Sequence, residues 1–308
     1  MPIEPIESAL SPDAQAAGAE ARVHAALPAA ALSSPPLLPH PGSPRAWRPS
    51  PLYWLAGGVH VAGALTWLAR PSLWPWALGA MAADHVLNFA FSFMPGSTML
   101  GPCIRSLPAA ARARGEVALT FDDGPDPEVT PRILDLLDAR GARATFFCVG
   151  ERARKQPRLL GDIVAAGHTV ENHSLTHSPA HGFYGPRRLR HDIVQAQHLI
   201  TELTQVAPVF YRPPYGVRTP MTEPVLSALG LHCVTWSVRS FDTVDRSEER
   251  VARRVTTRLT AGAIVLLHDR EVHRQRERTV ALRALPRILD AIATRGLRAV
   301  TLRAALAG

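Results

Sequence analysis

From about Gly115 onward, short apolar runs alternate with longer amphipathic ones, and this alternation constrains the fold more than any other feature of the chain. The strand-like runs are VALTF, ATFFCVG, HTVEN, VFYRP, HCVTWSV, AIVLLH and RAVTL. Between them lie TPRILDLLDARG, QPRLLGDIVAAG, RRLRHDIVQAQHLITEL, TEPVLSALG, SEERVARRVTTRL and the stretch from Val280 to Thr294, with apolar residues at three- and four-residue spacing. Several of these end in glycine (Gly141, Gly167, Gly230, Gly296), as helix C-termini often do. Strand and helix in alternation imply a parallel sheet. Seven strands in about 190 residues predict an α/β fold, a small or incomplete (β/α) barrel. In such barrels, functional side chains gather at the C-terminal ends of the strands.

The chain before this region has a different character. Residues 1–50 are rich in Pro, Ala and Ser and show no periodicity, which predicts a disordered tail. Residues 51–107 hold two apolar runs, Leu52 to Ala69 and Leu73 to Pro95, separated by Arg70 and Pro71. The first is long enough to cross a bilayer as a helix. The second carries Asp84, His85 and Asn88 near its middle, each costly in hydrocarbon. Trp54, Trp67, Trp74 and Trp76 cluster near segment ends, as interfacial aromatics do. The expectation is a hydrophobic, membrane-embedded helical hairpin and linker over residues 51–107, followed by the α/β domain over residues 108–308. The apolar run starts too far from Met1 to read as a cleaved signal peptide. Arg45 and Arg48 precede the hairpin, Arg105, Arg112 and Arg114 follow it, and Arg70 alone lies between. That bias would put both ends in the cytoplasm, whereas a single span would reverse the orientation.

The net charge of +8 comes mostly from Arg scattered through helix-like stretches rather than from basic residues interleaved with aromatics. A solvated basic surface is expected, and no nucleic-acid partner. The cysteines Cys103, Cys148 and Cys233 fit neither a disulfide framework nor a zinc ribbon, and Cys148 and Cys233 read as small core residues.

The strand ends carry the chemistry. VALTF runs into Asp122-Asp123, two adjacent carboxylates that repel each other unless each has a partner. HTVEN runs into HSLTH, which holds His173 and His177 four apart, the spacing that places two imidazoles on one face of a helical turn. With Asp123 they form a His, His, Asp donor set that leaves coordination positions open for water and substrate. Asp122 then needs its own counter-charge, and Arg212 in RPPYG is the candidate; so held, Asp122 can take a proton from water. His268 in LLHD can protonate a leaving amine, with Asp242 as the orienting carboxylate. Gly124-Pro125 would supply the turn that presents the acidic pair. Asp269 reads as a solvated strand-end charge, Asp126 as a turn residue, and His168, His181, His191 and His198 as surface residues.

TFDDGP, HSLTH, RPPYG and LLH, in that order, resemble the polysaccharide deacetylases of the NodB-homology group, carbohydrate esterase family four. The resemblance covers about Glu116 to Thr301. It implies a metal-dependent N-deacetylase on a distorted (β/α)7-type barrel, acting on amino sugars of peptidoglycan, of chitin-like oligomers or of a lipid-linked glycan. It implies Asp122 as base and Asp123, His173 and His177 as ligands of zinc or another divalent metal such as cobalt. Arg212 would hold the base, and His268 would be the acid tuned by Asp242. Tyr215 would offer its backbone amide to the oxyanion, and Leu266 would form the floor under the acetyl methyl. The family pattern often runs aspartate, two residues, aspartate, tryptophan after the fifth strand. Here Arg239 replaces the first aspartate and Thr243 the tryptophan, while Asp242 is kept. The chemistry is expected to survive, with a substrate groove of different shape. A cytoplasmic site would favour a lipid-linked substrate, and an outward-facing site peptidoglycan or exopolysaccharide. Two alternatives stay open: a hydrolase of a small amide, imide or formamide, and a membrane-tethered glycan-binding protein with a dead site.

Overall fold

The computed structural model describes residues 44–270 and 279–307. The expected disordered tail lies outside the described residues as far as residue 43.

Eight parallel strands form the sheet: β1 Glu116–Asp122, β2 Ala144–Cys148, β3 Thr169–Asn172, β4 Phe210–Tyr211, β5 His232–Cys233, β6 Val238–Arg239, β7 Ile264–His268 and β8 Arg298–Ala299. Their order is β5-β4-β3-β2-β1-β7-β6, with β8 paired to β1. The sheet curls into a parallel α/β half-barrel. Every residue of β1 is buried, which explains why EVALTFD shows no polar–apolar alternation: both faces are covered. Val117, Leu119 and Phe121 join Phe146, Val265 and Leu267 in the layer under the outer helices. Ala118, Phe147 and Ile264 pack on the other side, against Leu107, Ala111, Leu302 and Ala305.

Register turns this two-residue period into a site. Asp122 lies opposite His268 on β7 and Phe147 on β2, and Thr120 lies opposite Leu266. Thr120, Asp122, Leu266 and His268 therefore share the inner face, with the two titratable groups at the C-terminal rim.

HCVTWSV is not one strand. It splits into β5 and β6, which lie at opposite edges of the sheet. The intervening residues cross the opening, where Ile104 bridges to Val234 and Ser106 to Ala263. The segment ahead of β1 is thus woven into the gap of the barrel.

Two helices precede it: α1 Pro51–Ala69 and α2 Trp74–Ser92, joined by a 3-10 turn at Pro71–Leu73. They pack along each other, and a Cβ at Gly63 would come within 2.4 Å of Met81 Cε. The His60 and His85 rings meet edge to face at 5.1 Å. Asp84 is buried and accepts a hydrogen bond from Asn88 Nδ2 at 3.2 Å. Of the two, only α1 is long and apolar enough to cross a membrane by length and composition. Both leave large apolar side chains exposed, including Trp54, Leu68, Trp76 and Val86. The pair is fastened to the barrel by the buried Arg218. Its guanidinium donates to the carbonyls of Ser97, Leu100, Gly101 and Pro102, and its backbone N–H donates to Ser92 O.

Candidate active site

The Asp122-Asp123 pair is separated by backbone geometry. Asp122 ends β1 in extended conformation, and Asp123 turns to φ +80°. The next residue must be glycine: a Cβ at Gly124 would fall 2.0 Å from Asp269 Oδ2. Asp269 itself is fully buried rather than solvated, with Oδ2 accepting from Thr130 Oγ1 at 2.7 Å, and burial pushes its carboxyl up to about 7. Asp126 is a turn residue as expected, its Oδ1 accepting from the N–H groups of Glu128 and Val129.

Asp122 Oδ1 accepts from Arg212 Nη1 at 2.6 Å. Arg212 is fully buried, donates also to Thr120 Oγ1 and Thr235 O, and stacks 4.0 Å over the Phe147 ring. The second Asp122 oxygen, Oδ2, lies 3.9 Å from His173 Nε2. One oxygen of the carboxylate is therefore tied down, and the other faces the donor cluster.

His173 and His177 do come together with Asp123, but not on a helical turn. The loop after β3 is irregular, with Ser174 at φ +71° and His177 at φ +52°. Neighbouring polar groups hold it: Asn172 Oδ1 accepts from Ser174 N–H, Ser174 Oγ from His177 N–H, and Asp192 Oδ2 from Leu175 N–H. Those bonds replace the helical i to i−4 ladder, so the four-residue spacing reaches the right result through a different backbone. His173 Nδ1 donates to Arg212 O at 2.8 Å, which turns Nε2 toward Asp123. Asp123 Oδ1 lies 3.0 Å from His177 Nε2 and 3.5 Å from His173 Nε2. Burial alone would raise the Asp123 carboxyl, but the two imidazoles outweigh it and hold it well below the usual carboxylate range. Asp123 Oδ1 is buried and has no hydrogen-bond partner among the described residues. A buried carboxylate oxygen facing two imidazole nitrogens is an arrangement that a divalent cation completes, and the mixed N and O donors suit zinc or cobalt.

Across the rim, His268 Nδ1 donates to Asp242 Oδ1 at 2.8 Å, and His268 N–H donates to Asp242 Oδ2 at 2.8 Å. Ser240 Oγ supports the same carboxylate at 2.7 Å. Burial would lower the His268 pKa, but the Asp242 carboxylate overrides that and pushes it up to about 9. Asp122, Asp123, His173, His177, Tyr215, Leu266 and His268 line one cavity of about 280 Å³. Arg212 and Asp242 sit behind it, against Asp122 and His268. Each residue expected to be catalytic, substrate-binding or metal-ligating thus lies in the cleft or touches a group that does.

Trp236 and Arg270 line the same cavity and carry no sequence signal of their own. His168 and His181 are buried, not surface residues; Ala144 N–H donates to His168 Nδ1, and Tyr211 Oη pairs with His181 Nε2 at 2.8 Å. Asp123, Ser174, His177, Tyr215 and Phe241 are five of the six non-glycine residues at positive φ among those described, and all belong to loops that form or border the cleft. Backbone strain concentrates where function does.

The half-barrel thus brings a carboxylate-bound imidazole, an ion-paired carboxylate and a His–His–Asp donor set together on one rim. The family described as polysaccharide deacetylase matches residues 109–234. A peptidoglycan-N-acetylglucosamine deacetylase of Bacillus cereus is 35% identical over 190 residues, which is 61% of this chain and 67% of the relative. A chitooligosaccharide deacetylase of a Bradyrhizobium species is 36% identical over 188 residues, which is 58% of this chain and 85% of the relative. The crystal structure of a peptidoglycan N-acetylglucosamine deacetylase superposes with a TM-score of 0.61 at 32% identity, covering 66% of this chain and 91% of that one. The chain belongs to the polysaccharide deacetylase family.

Proposed function

We propose that this chain hydrolyses the N-acetyl amide of an amino sugar in a glycan, with Asp123, His173 and His177 holding a divalent cation, zinc or cobalt. The observation that carries this reading is the placement of an ion-paired carboxylate and an oriented imidazole on one rim, with the donor set, around a single cavity. The cation, when bound, supplies Lewis acidity toward the acetyl carbonyl and acidifies a water.

The chain's own groups account for the remaining steps. Asp122, anchored through Oδ1 by Arg212, offers Oδ2 as the base that removes a proton from the attacking water. The water oxygen adds to the carbonyl carbon. The developing oxyanion is met by the backbone N–H of Tyr215, presented by a residue held at φ +60°. Leu266 forms the apolar floor for the acetyl methyl. His268, held by Asp242 through Nδ1, delivers the Nε2 proton to the departing nitrogen as the C–N bond breaks. Acetate and a free amine leave, and the proton on Asp122 returns to His268 through solvent.

The helix pair seats this site at a lipid surface. Its support is α1, long and apolar enough to span, together with the exposed apolar side chains of both helices. The Pro95 ring, just past α2, lies 3.0 Å from where a Cβ of Gly216 would be, and Gly216 lines the cleft. The cleft therefore opens beside the end of the pair, within reach of membrane-associated or lipid-linked glycan.

The test is acetate release from N-acetylglucosamine oligomers and peptidoglycan by the purified full-length protein and its Asp122→Asn variant. Asn keeps the hydrogen bond to Arg212 but cannot take the proton, so a loss of about 10²–10⁴ in kcat with metal binding retained is expected. Equal rates for the two proteins would remove Asp122 from the mechanism.

A further inference from the structure

One strong cation in the cleft is unused by the reaction described above. Arg239 ends β6, and the ladder pairs it with Leu266 on β7. In a parallel pair, residues side by side share a face. Val238 and Val265, paired one step earlier, both point into the outer core. Arg239 therefore joins Leu266 on the inner face, beside the cavity floor, and lines the cavity with the donor set and His268.

Its guanidinium is held by its face. It lies 4.6 Å over the Phe241 ring and 5.7 Å from the Trp236 ring centroid. Phe241 is kept in that position by an αL backbone at φ +61°, and its other neighbour is the Arg254 guanidinium at 5.2 Å. Stacking orients the planar group but leaves its N–H edge to bind elsewhere. Among the described residues, Arg239 has no ion pair and donates no hydrogen bond. The nearby carboxylates are already engaged: Asp122 by Arg212, Asp242 by His268, and Asp245 by Arg250 and Arg254. Arg270 is a second cation on the cavity wall and likewise forms no ion pair among the described residues. A pre-oriented guanidinium edge, without a counter-charge among the described residues and beside a cavity of about 280 Å³, is complementary to a carboxylate or phosphate.

We propose that Arg239 is an anion-recognition point of the substrate cleft, so that the N-acetylated sugar this chain acts on carries a carboxylate or phosphate on itself or on its neighbour. This rests on the deacetylase reading and narrows it from glycans in general to anionic ones. Thr243 lines the same cavity, and Arg239 stacked on Phe241 gives that wall charge as well as apolar surface.

The experiment compares kcat and KM for acetate release by the zinc-loaded full-length protein on three probes. These are a neutral N-acetylglucosamine tetramer, a peptidoglycan disaccharide with its free lactyl carboxylate, and N-acetylglucosamine 1-phosphate. The expected result is a preference of roughly tenfold to a hundredfold in kcat/KM for one or both anionic probes, expressed in KM and weakened by salt. The better of the two identifies the source of the anion. Arg239→Gln should bring the anionic-to-neutral ratio toward one, and Arg239→Lys should restore part of it. Equal turnover of neutral and anionic probes, or a ratio unmoved in Arg239→Gln, overturns the anion subsite and leaves the deacetylase reading standing. Acetate from none of the three overturns the deacetylase reading and the subsite with it.

Discussion

Arg212 serves both halves of the site. Its side chain neutralises Asp122, while its carbonyl oxygen fixes the ring of His173. Removing the guanidinium leaves a buried carboxylate without a counter-charge, so Arg212→Ala should lose about 3–5 kcal/mol of stability in denaturant unfolding. His268 and Asp242 form the complementary pair. In Asp242→Asn the influence that overrides burial is gone, so the His268 pKa should fall from about 9 toward or below its ordinary 6.5 when followed by NMR in the metal-free protein. The alkaline limb of kcat should move to lower pH with it, because the protonated acid disappears sooner. The sign for stability follows from the same shift. The folded pKa lies above the unfolded one, so the stabilisation from His268 is complete below about pH 6.5 and is lost as pH rises through about 9. An unchanged His268 titration in Asp242→Asn would contradict the pairing.

Among the elements, those that periodicity identifies are the ones buried on both faces. β1, β2 and β7 read as plain apolar runs because helices cover one side and the barrel interior the other. HCVTWSV reads the same way yet divides, because nothing local in it records that the sheet ends at β5 and resumes at β6. The donor set was visible in sequence through residue type and spacing, while its backbone was not: αL residues and side-chain-to-backbone bonds build the His173–His177 loop in place of a helical turn. Asp269, His168 and His181 look like surface polar groups in sequence, and only tertiary packing reveals their burial. Arg239 could be noticed as a departure from the family pattern, but its stack on Phe241 depends on the fold. The glycine of TFDDGP also gains its reason here. Gly124→Ala would drive a methyl into Asp269, and should cost about 1–3 kcal/mol and lower the melting temperature; an unchanged melting temperature would mean that the turn yields.

At the scale of the molecule, a basic catalytic half-barrel is joined to a pair of apolar helices through Arg218 and the strand-like linker at Ile104. The join is polar and buried, so the helices should hold a fixed orientation to the cleft rather than act as a loose tether. Full-length protein should partition with membranes and resist extraction by high salt and alkaline carbonate; complete release by salt alone would show that the helices do not enter the bilayer. The net charge of +8 favours association with anionic lipid and anionic glycan alike, which agrees with Arg239 and Arg270 on the cleft wall. The proposed role of Asp123, His173 and His177 is to bind the cation on which hydrolysis depends. Its most direct test strips the full-length protein with chelator, titrates zinc back, and follows acetate release against zinc bound per chain. The expected result is no release from the stripped protein and full recovery at one zinc per chain, with His173→Ala binding no zinc and recovering nothing. Acetate release that persists in the stripped protein, or zinc bound equally well by His173→Ala, would contradict it.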